Sequence, residues 1–181
     1  MEIAEIFQQA FKYHQNNRIK EAKAGYEKVL AIEPDHPSAL HLSGLIAFDA
    51  GDIQTALDRV GRSVALAANE RQWLLNYGKV LTAAGKPKEA IIVHQRVQGM
   101  APDCVEAKTA LADLYGTIGE HKNALLALFR LLSDNPDDAG AAEKYAATLA
   151  LLGHKTAAAE FSSAFPVSCQ SSNVNKIRVE G

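Results

Sequence analysis

Apolar residues along the chain recur with a helical period. Two such runs follow each other closely, RQWLLNYGKVLTAA at 71–84 and KEAIIVHQRVQGM at 88–100. Residues three to four positions apart share one face of an α-helix, so each run predicts a helix with one apolar side. Gly85, between the runs, suits the left-handed conformation that ends a helix, and Pro102 cannot continue the second run. The pattern therefore predicts two helices joined by a short turn.

The same pattern returns every 34 residues. The turn glycines are Gly51, Gly85, Gly119 and Gly153, with Asn17 one period earlier. Alanine recurs at the same interval at Ala22, Ala56, Ala90, Ala124 and Ala158. A third column holds the small residues Ala10, Gly44, Gly78, Ala112 and Ala146. A fixed period of this length is typical of stacked helical repeats.

Small residues at a fixed period have a physical explanation in helix packing. Packed helices lie about 8–10 Å apart, so two backbones that cross closely leave room only for glycine or alanine. One helix pair cannot bury its apolar side alone, whereas stacked pairs can. We therefore expect an all-α fold of about ten antiparallel helices. The five predicted repeats span 3–36, 37–70, 71–104, 105–138 and 139–166, and they are followed by a flexible polar tail at 167–181.

The columns resemble those of the tetratricopeptide repeat (TPR) family. The third repeat carries Leu74, Tyr77, Gly78, Leu81, Ala90 and Pro102, and the fourth carries Leu111, Ala112, Tyr115, Ala124 and Pro136. The sequence departs from the family pattern at Ala68, which replaces a proline, and at Pro166, which ends the last repeat early. The resemblance covers about 3–165 and implies a right-handed superhelix whose first helices line a concave groove.

The resemblance also assigns residues to that groove. The nine that we expect to contact a partner, the groove residues, are Phe7, Phe11, His14, His41, Leu45, Phe48, Gln72, Asn76 and Lys79. Further inner positions in the last two repeats are Glu106, Thr109, Asp113, Thr117, Glu143, Lys144 and Ala147. Clustered apolar groups on a surface mark interfaces, and amide side chains can both donate and accept hydrogen bonds. The alternative is that some of the N-terminal apolar side chains belong to the core.

Charge and composition narrow the classes of partner. The formal net charge is −2, and no block of basic residues predicts a nucleic-acid or membrane-surface site. No run of about 18 apolar residues predicts a membrane span, and the N-terminus lacks the pattern of a secretory signal. The two cysteines form no CxxC pair or disulfide framework. We therefore expect a cytoplasmic protein that binds a protein or peptide, with no nucleic acid and no membrane insertion.

Catalytic motifs are missing from the sequence. None of the six histidines lies in an HExxH or a Cys/His arrangement with metal-ligand spacing, and no glycine-rich phosphate loop is present. We therefore predict no enzyme activity, no cofactor and no metal site.

Three hypotheses for function follow. The first is a scaffold or adaptor that holds a peptide or helix of a partner in the groove. The alternative is a substrate-recognition arm of a larger enzyme of the glycosyltransferase, sulfotransferase or methyltransferase type. The third is self-association through the C-terminal repeat. The sequence after Pro166 either caps the last repeat or reflects a truncated form of a larger protein.

Overall fold

A computed structural model describes residues 2–164, so the predicted tail at 167–181 and the end of the fifth repeat at Pro166 lie outside the described residues. The described residues form ten helices and no strand, which confirms the all-α class. The helices are α1 Ile3–Gln15, α2 Ile19–Ile32, α3 Pro37–Asp49, α4 Ile53–Leu66, α5 Arg71–Ala83, α6 Pro87–Met100, α7 Val105–Thr117, α8 His121–Asp134, α9 Ala139–Leu151 and α10 Lys155–Ala164. The chain divides into two compact units, one with α1–α6 and one with α7–α10. None of the ten helices in the described part of the chain combines the length and the apolar character that a membrane span needs.

Each helix pair is closed by the same turn. Gly51, Gly85, Gly119 and Gly153 have φ values of 80°, 70°, 77° and 88°, and Asn17 has φ 57°. These residues adopt the left-handed conformation that the glycine column predicts. The following N–H then bonds back five residues, as in Asp52 N–H to Ala47 O at 2.9 Å and Lys86 N–H to Leu81 O at 2.9 Å. This bond belongs to the Schellman motif, which satisfies carbonyls at the end of the first helix of each pair.

The small-residue columns lie where helices cross. A methyl group added at Gly44 would lie 2.7 Å from Cγ2 of Val60, and one at Gly78 would lie 2.6 Å from Cε1 of His94. At the first crossing a methyl group on Gly25 would lie 2.5 Å from Cβ of Ala10. Real Cβ atoms do not lie so close to other atoms, so a larger residue at these positions would force a neighbour to shift. The prediction that small residues mark close helix crossings is confirmed.

Large side chains on the second helices fill the space beside the crossings. Tyr26 and Val60 are fully buried, and His94 is 1% exposed. In the second unit Leu128 and Leu131 pack with Ala112, Ala127 and Ala141. His94 is therefore a packed core histidine, as its place in a column of large residues predicts.

Ion pairs join second helices to their neighbours. Arg59 on α4 donates to both carboxylate oxygens of Glu27 on α2, at 2.6 and 3.0 Å. In the second unit Lys108 on α7 pairs with Asp134 on α8, and Lys108 is only 5% exposed. In the three preceding repeats, the positions that correspond to Lys108 and Asp134 are apolar. The Lys108 column holds Ile6, Leu40 and Leu74, and the Asp134 column holds Ile32, Leu66 and Met100. The fourth repeat thus places a charged residue in each of two columns that are apolar in the repeats before it.

Candidate functional site

The nine groove residues all lie on the first helices of the unit that contains α1–α6. Three are on α1, three on α3 and three on α5. They form an aromatic cluster at α1 and a polar cluster between α3 and α5, while Leu45 and Phe48 pack beside the core formed by Ala47, Ala56, Val60 and Val80. The structure brings several of the groove residues into contact with one another, but some of them are buried and others are exposed to solvent.

The aromatic cluster is built around Phe7. Its ring stacks on Phe11 with centroids 6.3 Å apart, on the N-cap residue His36 at 5.0 Å, and against Tyr26 at 5.8 Å. Phe7 is partly buried and packs on the core, whereas Phe11 is 36% exposed. Phe11 therefore presents an apolar ring to solvent on a base that Phe7 holds in place.

His14 is tied to the same cluster from the end of α1. Its Nδ1 hydrogen-bonds the Tyr26 hydroxyl at 3.2 Å, and its ring lies edge-on to that of Tyr26. Burial raises the pKa of Tyr26 to about 12, so the phenol stays protonated near neutral pH. The partly buried His14 is thus held by the core and reaches the surface beside Phe11.

The polar cluster is centred on His41. Its ring stacks on Trp73 with centroids 4.4 Å apart and an interplanar angle of 10°. Nδ1 lies 3.3 Å from Ser63 Oγ on α4, and Nε2 lies 3.1 Å from Nδ2 of Asn76 on α5. His41 therefore joins three helices through both of its ring nitrogens.

The hydrogen-bond partners fix the tautomer of His41. The Ser63 hydroxyl donates to the Val60 carbonyl at 2.8 Å, so Ser63 Oγ accepts from Nδ1–H of His41. Nδ2 of Asn76 can only donate, so Nε2 of His41 accepts. Burial lowers the pKa of His41 to about 4, so the ring is neutral near pH 7. A neutral His41 ring with its proton on Nδ1 therefore satisfies each hydrogen bond in the series from Val60 through Ser63 and His41 to Asn76.

This chain of bonds sets the orientation of Asn76. One N–H of the amide is committed to His41, and the amide oxygen faces Nε2 of Gln72 at 3.5 Å. Asn76 is partly buried, and the contact with His41 engages only one of its two N–H groups. The amide is thus pre-oriented to donate to a carbonyl of a bound chain, beside the exposed Gln72 and Lys79.

The structure differs from the sequence prediction for His41. Its side chain is 3% exposed, so it supports Asn76 instead of meeting a partner directly. The reason is that Trp73, from the next repeat, covers the ring. Phe7 likewise belongs mainly to the core, as the alternative interpretation expected.

Sequence reasoning missed two residues of the polar cluster, Trp73 and Ser63. A signal for Ser63 was present, because its column otherwise holds Val29, Val97 and Leu131. A serine in a buried apolar column indicates a buried hydrogen bond. Trp73 is the one tryptophan of the chain, but its position facing His41 follows from helix packing and not from spacing.

The chemistry of these clusters is that of contact and hydrogen bonding. Among residues 2–164 there is no group of three or more His, Cys, Asp or Glu side chains that could hold a metal ion. The arrangement offers an exposed aromatic ring, an oriented amide and an exposed cation, which together suit a polypeptide segment.

Comparison with known sequences finds one matching family model and relatives that share part of their length with this chain. Residues 7–36 match the sequence model of the tetratricopeptide repeat. The human cell division cycle protein 16 homolog is 27% identical over 124 residues, 63% of this chain and 20% of that protein. The cellulose synthase operon protein C of Xanthomonas axonopodis pv. citri (strain 306) is 27% identical over 146 residues, 74% of this chain and 9% of that protein. The chain thus spans a fifth or less of the length of these two relatives.

Solved structures share the fold. YrrB, described as a TPR protein with an unusual peptide-binding site, superposes with a TM-score of 0.84 at 19% identity, over 93% of this chain and 86% of that chain. A structure of the MamA protein superposes with a TM-score of 0.82 at 18% identity, over 99% and 98% of the two chains. The MamA 41-end structure from Desulfovibrio magneticus RS-1 gives a TM-score of 0.77 at 18% identity, over 90% and 93%.

Proposed function

Because the chain is a tetratricopeptide repeat protein, we propose that it is a non-catalytic scaffold that holds a segment of a partner polypeptide against α1, α3 and α5. The partner is a protein or peptide, and we propose the cytoplasm as the place where they meet. YrrB, which shares the fold, is described as having a peptide-binding site.

The observation that carries the proposal is the buried chain from Val60 through Ser63 and His41 to Asn76. Burying a polar ring is unfavourable unless each of its polar atoms is paired. Here the pairing ends on the Asn76 amide, which is only partly buried and would use its other N–H to bind a guest. Such pre-orientation reduces the entropy lost on binding.

Apolar burial would supply most of the affinity. Phe11 is exposed on the stacked base of Phe7, and Phe48 is partly buried on α3. A few aromatic anchors dominate the energy of most interfaces, so Phe11→Ala and Phe48→Ala should each weaken binding by about 2 kcal/mol. Asn76 would then fix the orientation of the bound chain.

Affinity capture from the native lysate tests the proposal. Wild type, the Phe11→Ala/Phe48→Ala variant and Asn76→Ala would be compared by quantitative mass spectrometry, each after its melting temperature has been checked. Ile92→Ala is the matched control, because Ile92 is a large apolar residue that is 66% exposed on the second helix α6. We expect a partner that wild type and the control capture and that both other variants lose. A partner captured equally by all four proteins would refute the groove proposal.

A second candidate function is a substrate-recognition arm within a larger enzyme of the glycosyltransferase, sulfotransferase or methyltransferase type. The chain spans only 20% and 9% of the length of the two relatives, so both of them are much longer proteins. This favours a role for the present repeats as part of a longer protein. An antibody against the repeats would detect a band well above 19.5 kDa in native extract if this candidate is right. A band at 19.5 kDa alone would eliminate it.

A further inference from the structure

A cavity of about 170 Å³ lies in the second unit, where α7, α8 and α9 meet. Its floor is apolar and consists of Ala112, Leu128, Leu131 and Ala141, which belong to the core of that unit. A cavity of roughly 150 Å³ lined by such side chains can hold a benzene molecule. The space therefore matches one aliphatic side chain of the size of leucine.

The mouth of the cavity is polar and bears more negative than positive charge. Asp113 and Asp138 line it together with Lys144, and Thr109 lies beside them. Lys144 is already paired with Asp113 across α7 and α9. Asp138 caps α9 by accepting the Ala141 N–H at 2.9 Å. Among the described residues that line the cavity, Lys144 is the only cation, and its partner is Asp113 and not Asp138.

The wider charge of this part of the chain has the same sign. Residues 101–164 contain nine acidic side chains and five basic ones. A guest that approaches the mouth is favoured if it carries positive charge next to the group that enters the cavity.

We propose that this cavity is a side-chain subsite for a basic peptide segment in which one leucine-sized aliphatic residue is flanked by lysine or arginine. The aliphatic side chain enters between Leu128 and Ala141, and the flanking cation pairs with Asp138 and Asp113. Thr109, Asp113 and Lys144 are inner positions that the family resemblance assigns to the fourth and fifth repeats. The subsite involves none of the nine groove residues, so it goes beyond the proposed function and stands without it.

The pair of Asp113 and Lys144 allows such an exchange. Each side chain is 51% exposed, and exposed ion pairs contribute little to stability. A guest cation can therefore replace Lys144 on Asp113 at small expense, and Lys144 then returns to water.

An NMR titration of the full chain tests the proposal. The probe is the blocked pentapeptide Ser-Lys-Leu-Lys-Ser, and the matched peptides replace its leucine by serine or both lysines by glutamate. We expect shifts concentrated on the amides of Thr109, Gly140 and Ala141, which line the cavity. The serine peptide should bind about tenfold more weakly, because the apolar burial is lost. The glutamate peptide should give no saturable shift at these amides.

Two variants separate charge from folding. Asp138→Asn keeps the helix cap, since asparagine caps as well as aspartate, and should weaken the leucine peptide about threefold. Glu160→Gln removes an exposed charge of the same unit outside the cavity and should leave binding unchanged. Equal binding of the leucine and serine peptides, or shifts away from the cavity, would overturn the subsite. Because Phe11→Ala should leave this titration unchanged, failure of the groove proposal would be seen separately.

Discussion

At the scale of single residues, His41 shows how a polar group is kept inside a helical repeat. Its ring is stacked on Trp73 and bonded at both nitrogens, to Ser63 and to Asn76. A buried polar group that is fully paired specifies one arrangement, because any shift leaves an atom unsatisfied. His41 therefore fixes how α3, α4 and α5 meet and how Asn76 is presented.

The same residue predicts how stability depends on pH. Burial lowers the pKa of His41 from 6.5 to about 4, so the unfolded chain binds the proton more readily than the folded one. The stabilisation from the neutral ring is complete above about pH 6.5 and is lost as the pH falls towards 4. The free energy of unfolding should therefore fall by about 3 kcal/mol between pH 6.5 and pH 4.

Urea unfolding at several pH values between 7 and 4 measures this loss. The control is His41→Phe, which removes the titrating group while keeping a ring against Trp73. We expect a shallower decline for the variant than for wild type. Parallel curves would show that His41 does not account for the pH dependence.

Gly78 tests the close crossing of α5 and α6. A methyl group there would lie 2.6 Å from Cε1 of His94, so Gly78→Ala should lower the free energy of unfolding by about 1–3 kcal/mol. Gly99 is the control, because it is also helical and has no atom within 4 Å of the added methyl group. Gly99→Ala should raise stability by about 0.5–1 kcal/mol through helix propensity. Denaturant unfolding of both variants measures these changes. An unchanged free energy of unfolding for Gly78→Ala would contradict the close crossing of α5 and α6.

At the scale of helices, much of the fold follows from the columns. Five left-handed turn residues at a fixed period locate every turn between paired helices, and the first helices begin 34 residues apart, at 3, 37, 71, 105 and 139. Depth within a helix pair is harder to predict. The period gives the direction in which His41 and Phe11 point, but burial depends on what the next helix places opposite. Trp73 covers His41, whereas Phe11 stays 36% exposed although it stacks on Phe7.

The pair of Lys108 and Asp134 yields a prediction about α7 and α8. Asp134→Met alone leaves the buried Lys108 without its carboxylate, so it should destabilise the protein by about 2 kcal/mol. Adding Lys108→Leu recreates the Leu74 and Met100 combination of the third repeat and should restore stability to within about 1 kcal/mol of wild type. Urea unfolding of both variants gives the comparison. A double variant less stable than the single one would show that the ion pair is needed.

At the scale of the whole molecule, packing constrains the buried columns and leaves the partner-facing side free to vary. That is why the all-α repeat fold could be predicted from glycine and alanine spacing, while the site could be predicted only as positions on first helices. The roles of Ser63 and Trp73 in holding Asn76, and the cavity of the second unit, depend on contacts between helices that no single period encodes.

Site-specific photocrosslinking shows whether a partner lies against the first helices of the unit with α1–α6. The photoreactive residue p-benzoylphenylalanine would replace Phe11 on α1 in one protein and Ile92 on α6 in another; these residues are 36% and 66% exposed. We predict that the partner crosslinks through position 11 and not through position 92. Crosslinking through position 92 alone would place the partner on the second helices, away from the proposed groove.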